Sequence, residues 1–204
     1  MITIVDYGLG NIRAFINTYK QLGLPVTVAR NAHELKQASK IILPGVGAFD
    51  LAMTLFQESG MREVADELVM DKGVPVLGIC VGMQIMAGGS DEGELPGLNW
   101  IPGRVKKFDR ALLGPSLPLP HMGWNQVSAL DGAGLFGGLG DTPLFYFLHS
   151  FYYECEDSEH ILAQSRYGQD FSCAVHRGNV HGVQFHPEKS HSAGTRLLKN
   201  FAEL

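Results

Sequence analysis

This chain has few cysteines, few basic residues, no long apolar run and no charged leader, and each shortage excludes a class of protein. Its three cysteines are Cys80, Cys155 and Cys173. The number is odd and no Cys-x-x-Cys occurs, which argues against a disulfide framework or a zinc knuckle. A reducing compartment suits such thiols. Lys and Arg number 16 against 21 Asp and Glu. The only basic grouping is Lys106-Lys107 near Arg104 and Arg110, so the basic stripe that nucleic acid requires is missing. The longest apolar runs, at 41–43 and 74–79, are too short to cross a membrane. The opening MITIVDYGLG has no basic region followed by a long apolar stretch, so no signal peptide is expected and a cytoplasmic location follows.

What remains is ordinary soluble material. At 204 residues and 45% hydrophobic, the chain can bury a core without metal or covalent staples. Residues 2–5 read as a strand running into the loop Asp6-Tyr7-Gly8. Ile12, Phe15, Ile16, Tyr19 and Leu22 fall at helical spacing over 11–22, and Gly23 stops that helix. A short strand is predicted at 26–28, a weak helix at 33–40 and a compact strand at 40–43. A helical region follows over 49–72, broken at Gly60. The run 74–79 does not alternate with polar residues, as expected of a strand covered on both faces. Alternating strands and helices of this kind predict a mostly parallel sheet. The second half is rich in short strands instead, predicted at 104–108, 124–127, 144–149, 152–154, 160–166, 171–176 and 180–185. A final helix is predicted at 192–204. With no linker and no internal repeat, the simplest organisation is one α/β domain over 1–204 with an antiparallel-rich second half.

Cys80 follows the buried strand directly, inside Gly78-Ile79-Cys80-Val81-Gly82. The spacing G-x-nucleophile-x-G is that of a nucleophile elbow, a strained turn between strand and helix. A thiol at a helix amino terminus has its thiolate favoured by the aligned peptide dipoles, and the same N–H groups can hold an oxyanion. The alternative is a buried structural cysteine beside a turn, which is how Cys155 and Cys173 are read. A second informative stretch is Val183-Gln184-Phe185-His186-Pro187-Glu188-Lys189. On extended backbone, His186 and Glu188 point to the same side. An imidazole beside a carboxylate can serve as a general base with its tautomer held. The alternative is a solvated loop. Both stretches fall at carboxyl ends of predicted strands, where open α/β sheets place their sites. Gly45-Val46-Gly47 lies at a third such end and can offer backbone N–H groups to an oxyanion or a carboxylate, or be only a turn. It lacks the Lys-Ser/Thr ending of a phosphate-binding loop.

These motifs, GICVGMQ at 78–84 and HPE at 186–188, resemble those of the class I, or triad, glutamine amidotransferases. Further motifs narrow the resemblance to the glutaminase subunits of imidazole glycerol phosphate synthase. They are DYGLGNI at 6–12, PGVGAF at 44–49, PGRV at 102–105, PHMGWN at 120–125, YFLHSFY at 146–152 and GVQFHPEKS at 182–190. The resemblance covers essentially the whole chain. It implies a three-layer, flavodoxin-like α/β fold, with a mixed central sheet and helices on both faces. It implies Cys80 as nucleophile, His186 as base and acid, and Glu188 as the orienting carboxylate. Gln84 then holds the glutamine substrate, and Val81 and the Gly45-Val46-Gly47 turn supply the oxyanion site. Most members carry leucine where this chain has Val81, a change expected to be tolerated because the donor is backbone. No metal or organic cofactor is implied. The partner implied is a (β/α)₈-barrel cyclase subunit, faced by Asn11, Trp124, Tyr146 and Lys189. For Trp124 and Tyr146 the alternative is a place in the core, and for Lys189 an ordinary surface charge. His121 and His149 are read as structural or supporting. Three rivals stand beside this reading: a glutaminase serving another synthase, a stand-alone thiol hydrolase and a non-catalytic binding subunit.

Overall fold

A strand without polar alternation needs cover on both faces, and the runs 2–5, 41–43 and 76–79 lie side by side in the middle of one sheet. A computed structural model describes residues 1–130 and 134–204. The first half contains β1 (Ile2–Val5), α1 (Ile12–Gln21), β2 (Val26–Ala29), α2 (Ala32–Leu35), β3 (Lys40–Gly45), α3 (Phe49–Glu58), α4 (Arg62–Asp66), β4 (Val76–Cys80) and α5 (Val81–Gln84). The second half contains β5 (Gly103–Lys107), α6 (Arg110–Leu113), β6 (His121–Gln126), β7 (Ser128–Ala129), β8 (Leu144–His149), β9 (Phe151–Cys155), β10 (Ile161–Tyr167), β11 (Gln169–Arg177), β12 (Val180–Val183) and α7 (His191–Glu203).

The main sheet runs β2-β1-β3-β4-β12-β11-β10-β7, with β9 and β5 joined to it through β11. From β2 to β12 every pairing is parallel. From β12 to β7 every pairing is antiparallel. The sheet is therefore mixed, with its change of direction at β12. Strands β1 and β4 are buried at every position, so helical layers cover both faces. The burial of Ile4, Ile42, Leu77 and Ile79 ties those layers into one apolar core. Each such side chain removed from water contributes roughly 1.5–3 kcal/mol.

Several predicted boundaries move, each for a local reason. The helix expected at 33–40 is a single turn, because Lys40 already pairs with Ile2 in the sheet. Asn31 caps that turn by accepting from Glu34 N–H at 3.0 Å, while Glu34 accepts from Arg30 N–H at 2.8 Å. Strand β3 runs on through Pro44 to Gly45, paired with β4 throughout, and β4 includes Cys80 rather than stopping before it. The helix after Cys80 is also short. Leu98, Ile101 and Asn99 donate N–H groups to the carbonyls of Ile85, Met86 and Ala87, and so end it.

The register places the site. Gly45 lies opposite Cys80, and Val183, the last residue of β12, lies opposite Ile79 on the other side of β4. Three parallel strands thus release their carboxyl ends at one place, beside the point where the sheet changes direction.

Candidate active site

Cys80 has φ 57°, a left-handed conformation that is strained for a residue with a side chain. It is the last residue of β4 and caps α5, so the strand turns into the helix at the thiol itself. Glycine is required on both sides for packing. A Cβ on Gly82 would collide with the Leu43 carbonyl, and one on Gly78 would stand 2.6 Å from the Gly82 carbonyl oxygen. A Cβ on Gly45 would stand 2.5 Å from Gly82 N. The close approach of β3, β4 and α5 holds the strained turn in place.

His186 reaches this thiol by a different route from the one its sequence suggests. The strand ends at Val183, and residues Pro187–Lys189 form a tight 3₁₀ turn, not extended backbone. His186 N–H donates to Tyr146 O at 2.8 Å, which takes the chain out of the main sheet and onto β8. Ser190 Oγ closes the turn by donating to His186 O at 2.6 Å. The turn brings Nδ1 of His186 to 2.9 Å from Glu188 Oε1, with both side chains 3% exposed. Nε2 is then the ring atom left free to act on Cys80, which lines the same cavity. Burial alone pulls the imidazole pKa down. The hydrogen bonds and charges of Cys80 and Glu188 outweigh it and lift the group to about 10. At neutral pH His186 is therefore held as a cation.

A cavity of about 270 Å³ opens beside this pair. Its walls include Val46, Gly47, Cys80, Val81, Gln84, Glu92, His186 and Lys189, with the segment 148–151 opposite. Gly45 is buried in β3 behind it. Gly47 has φ 97°, a conformation that favours glycine, although a Cβ there would touch only a Leu51 methyl at 4.0 Å. Asn11, Trp124 and Tyr146 do not line the cavity. Asn11 is exposed and caps α1 by accepting from Ala14 N–H at 3.3 Å. Trp124 is 46% exposed, stacked on His191 with ring centroids 5.0 Å apart and edge-on to Tyr146 at 6.0 Å. Lys189 connects the two places, lining the cavity while its Nζ stands 5.7 Å from the Tyr146 ring centre.

Two polar groups at the site escape the sequence reading. Glu92 lines the cavity and accepts from Phe49 N–H at 2.9 Å. It sits in irregular chain with no motif to mark it. Gln184 is fully buried and its Nε2 lies 3.7 Å from Cys80 Sγ. Its only signal is a place two residues before His186. His149, expected from the sequence to be structural or supporting, lines the cavity wall and is bonded to His121 at 3.0 Å, behind the wall.

The chain matches the family described as glutamine amidotransferase class-I over residues 3–204. It is 60% identical to a protein of Bdellovibrio bacteriovorus named imidazole glycerol phosphate synthase subunit HisH, over the full length of both. It is 50% identical to a protein of the same name from Leptospira borgpetersenii, again over the full length of both. A solved structure described as a glutamine amidotransferase superposes with TM-score 0.76 at 20% identity, covering 99% of this chain and 97% of the other. That last likeness concerns the fold.

Proposed function

The chain belongs to the class I glutamine amidotransferases, and on that footing we propose that it is the glutaminase subunit of imidazole glycerol phosphate synthase in histidine biosynthesis. It hydrolyses glutamine to glutamate and ammonia. The observation that carries the chemistry is the thiol of Cys80, held at a strained elbow on the same cavity as a His186 cation that Glu188 orients.

In this reading the Cys80 thiolate attacks the side-chain amide carbon of glutamine. His186 gives its proton to the departing ammonia, and a thioester forms on Cys80. The neutral imidazole then takes a proton from water, whose oxygen releases glutamate. Val81 N–H and the 45–47 turn hold the oxyanion of each tetrahedral intermediate. Glu92 supplies the negative charge that the substrate ammonium needs, and Gln84 a polar contact. No metal or organic cofactor enters these steps.

The ammonia passes to a (β/α)₈-barrel cyclase subunit in the cytoplasm, which forms imidazole glycerol phosphate and aminoimidazole carboxamide ribonucleotide. A surface of suitable kind supports this. Strands β6 and β8 pair Met122 with Leu148, Trp124 with Tyr146 and Gln126 with Leu144. Met122, Trp124, Leu144 and Leu148 are all exposed. An apolar ladder on one face of this two-stranded sheet, with Lys189 beside Tyr146, fits a protein partner.

Cys80→Ala in the complex with the cyclase tests the reading. Glutamate release should fall by on the order of 10⁴-fold or more, with synthesis from added ammonium retained. Undiminished glutamate release would remove Cys80 as the nucleophile.

A further inference from the structure

Cys80 has a polar neighbour on its buried side with no part in the steps above. Gln184 is fully buried and directly follows β12, and its main-chain N–H donates to Cys173 O at 2.8 Å. Its amide reaches two groups: Nε2 lies 3.7 Å from Cys80 Sγ, and Oε1 lies 2.9 Å from Gln84 Nε2.

The ends of this amide are fixed by chemistry. Gln84 places an amide atom 3.3 Å from the main-chain oxygen of Phe151. A carbonyl oxygen only accepts, so that atom of Gln84 is its NH₂. The same NH₂ faces Gln184, whose near atom is therefore the carbonyl oxygen. The remaining end of Gln184 is its own NH₂, and it points at the sulfur. Phe151 O is held in turn by His149, whose Nδ1–H donates to it at 2.7 Å. A directed chain thus runs from Phe151 O through Gln84 and Gln184 to the thiol.

We propose that Gln184 is a positioning residue for the nucleophile, its amide N–H donating to the Cys80 thiolate from the buried side. The proposal rests on the reading of Cys80 as the nucleophile. An amide suits the task because it donates to an anion yet neither takes nor gives up a proton at physiological pH. It steadies the thiolate and fixes the sulfur without competing with His186 for the proton. By accepting from Gln84, the same side chain also ties a residue of the cavity wall to the sulfur. Gln84 keeps its own carbonyl oxygen for a ligand, since both of its bonds here use its NH₂.

The test is alkylation of Cys80 by iodoacetamide as a function of pH in the full-length chain, with the modified peptide identified by mass spectrometry. Cys155 and Cys173 are separable, because burial pushes both thiols well above their ordinary range. Two variants are compared with the unsubstituted chain. Gln184→Met keeps the volume and removes the donor. Gln184→Glu keeps an acceptor for Gln84 and turns an oxygen toward the sulfur. Losing one donor to an anion should raise the midpoint by about one pH unit, read as about tenfold slower alkylation below it. The Glu variant should lie higher still. Coincident midpoints for the unsubstituted chain and Gln184→Met, or a Gln184→Glu midpoint equal to the unsubstituted value, would overturn the proposal. Should neither variant fold, the unsubstituted chain decides by NMR. A buried glutamine side-chain amide should follow the Cys80 titration and stop following it after alkylation. If no such amide moves with the thiol, the proposal fails. Failure here leaves the nucleophile in place, whereas undiminished glutamate release by Cys80→Ala would remove it independently.

Discussion

Two sets of buried imidazoles lie within electrostatic reach of each other, and they carry opposite charge preferences. His186 is raised to about 10. His121 and His149 are lowered, to about 4 and about 3. All three residues are almost fully buried, so burial does not separate them. Their partners do. His186 meets the carboxylate of Glu188 at 2.9 Å and the sulfur of Cys80. His149 donates from Nδ1 to Phe151 O at 2.7 Å, and its Nε2 is 3.0 Å from His121 Nδ1. His121 Nε2 is in turn 3.3 Å from Asn125 Nδ2. Because Phe151 O only accepts, each proton in this row has one place: Asn125 donates to His121, His121 to His149, and His149 to the carbonyl. A further proton would break a bond and put charge where no anion waits. Desolvation is the dominant cause at His121 and at His149, with the neighbouring imidazoles adding to it at His149. The fold holds one histidine as a cation and keeps two as neutral struts beside it.

The largest effect should come from erasing the anion that makes this difference. Glu188→Gln keeps the shape and removes the charge. It also offers an NH₂ to Nδ1, which favours the wrong imidazole tautomer. Glutamate release in the complex should fall about 10²–10⁴-fold. The ring resonances of His186 should show its titration moving down from about 10 toward the ordinary imidazole range. A titration that stays in place would assign the cation to Cys80 alone.

The cationic site was legible in the sequence and the neutral row was not, for a physical reason. An elbow needs glycine at fixed offsets from its nucleophile, so Gly78 and Gly82 mark Cys80 directly. The pair His186 and Glu188 was legible as a spacing, although the spacing works through a 3₁₀ turn instead of strand alternation. Pro187, whose ring fixes its own φ, is the first residue of that turn. The row from Asn125 through His121 and His149 joins two strands by cross-strand register, with His121 opposite His149. No spacing along the chain encodes that pairing. Gln184 and Glu92 are likewise brought in by other elements, and a single Gln or Glu carries no period. The parallel half was legible as apolar runs without alternation. The antiparallel half was legible as a set of strands, whereas its pairing order depends on long-range contacts.

The two sites should also oppose each other in the pH dependence of stability. His121 and His149 are lowered, so between about pH 4 and 6.5 the unfolded chain binds protons that the folded chain refuses. Stability must therefore rise with pH through that window, by about 1.4 kcal/mol per pH unit for each group fully engaged. His186 is raised, so its contribution is whole below about 6.5 and is lost as pH climbs toward 10. Urea unfolding measured from pH 4 to 10 should show both limbs, and Glu188→Gln should flatten the alkaline one while leaving the acid rise. An acid limb that is flat in the unsubstituted chain would mean that the His121–His149 row accepts a proton in the folded state.

The smallest effect is the inverse experiment, giving the neutral row an anion of its own. Asn125 Nδ2 lies 3.3 Å from His121 Nε2 and donates to Arg166 O at 2.8 Å, while its Oδ1 accepts from Gln126 N–H at 2.8 Å. Asn125→Asp keeps the last of these bonds and replaces the donor facing His121 with a carboxylate oxygen. The lone pair on Nε2 then faces negative charge, and protonation of that atom restores a bond where there would be a repulsion. His121 Nδ1–H can still donate to His149, so the row survives the added proton. Asn125 is only half-buried, so water screens the new charge and the shift should be modest. His121 should rise from about 4 by about one pH unit, read from its ring resonances. Glutamate release should change little, because His149 still donates to Phe151 O and the path from Gln84 to Cys80 is untouched. If His121 holds at its lowered value, desolvation outweighs a nearby anion in this pocket. The cation at His186 would then depend on full burial of its carboxylate as well as on having one.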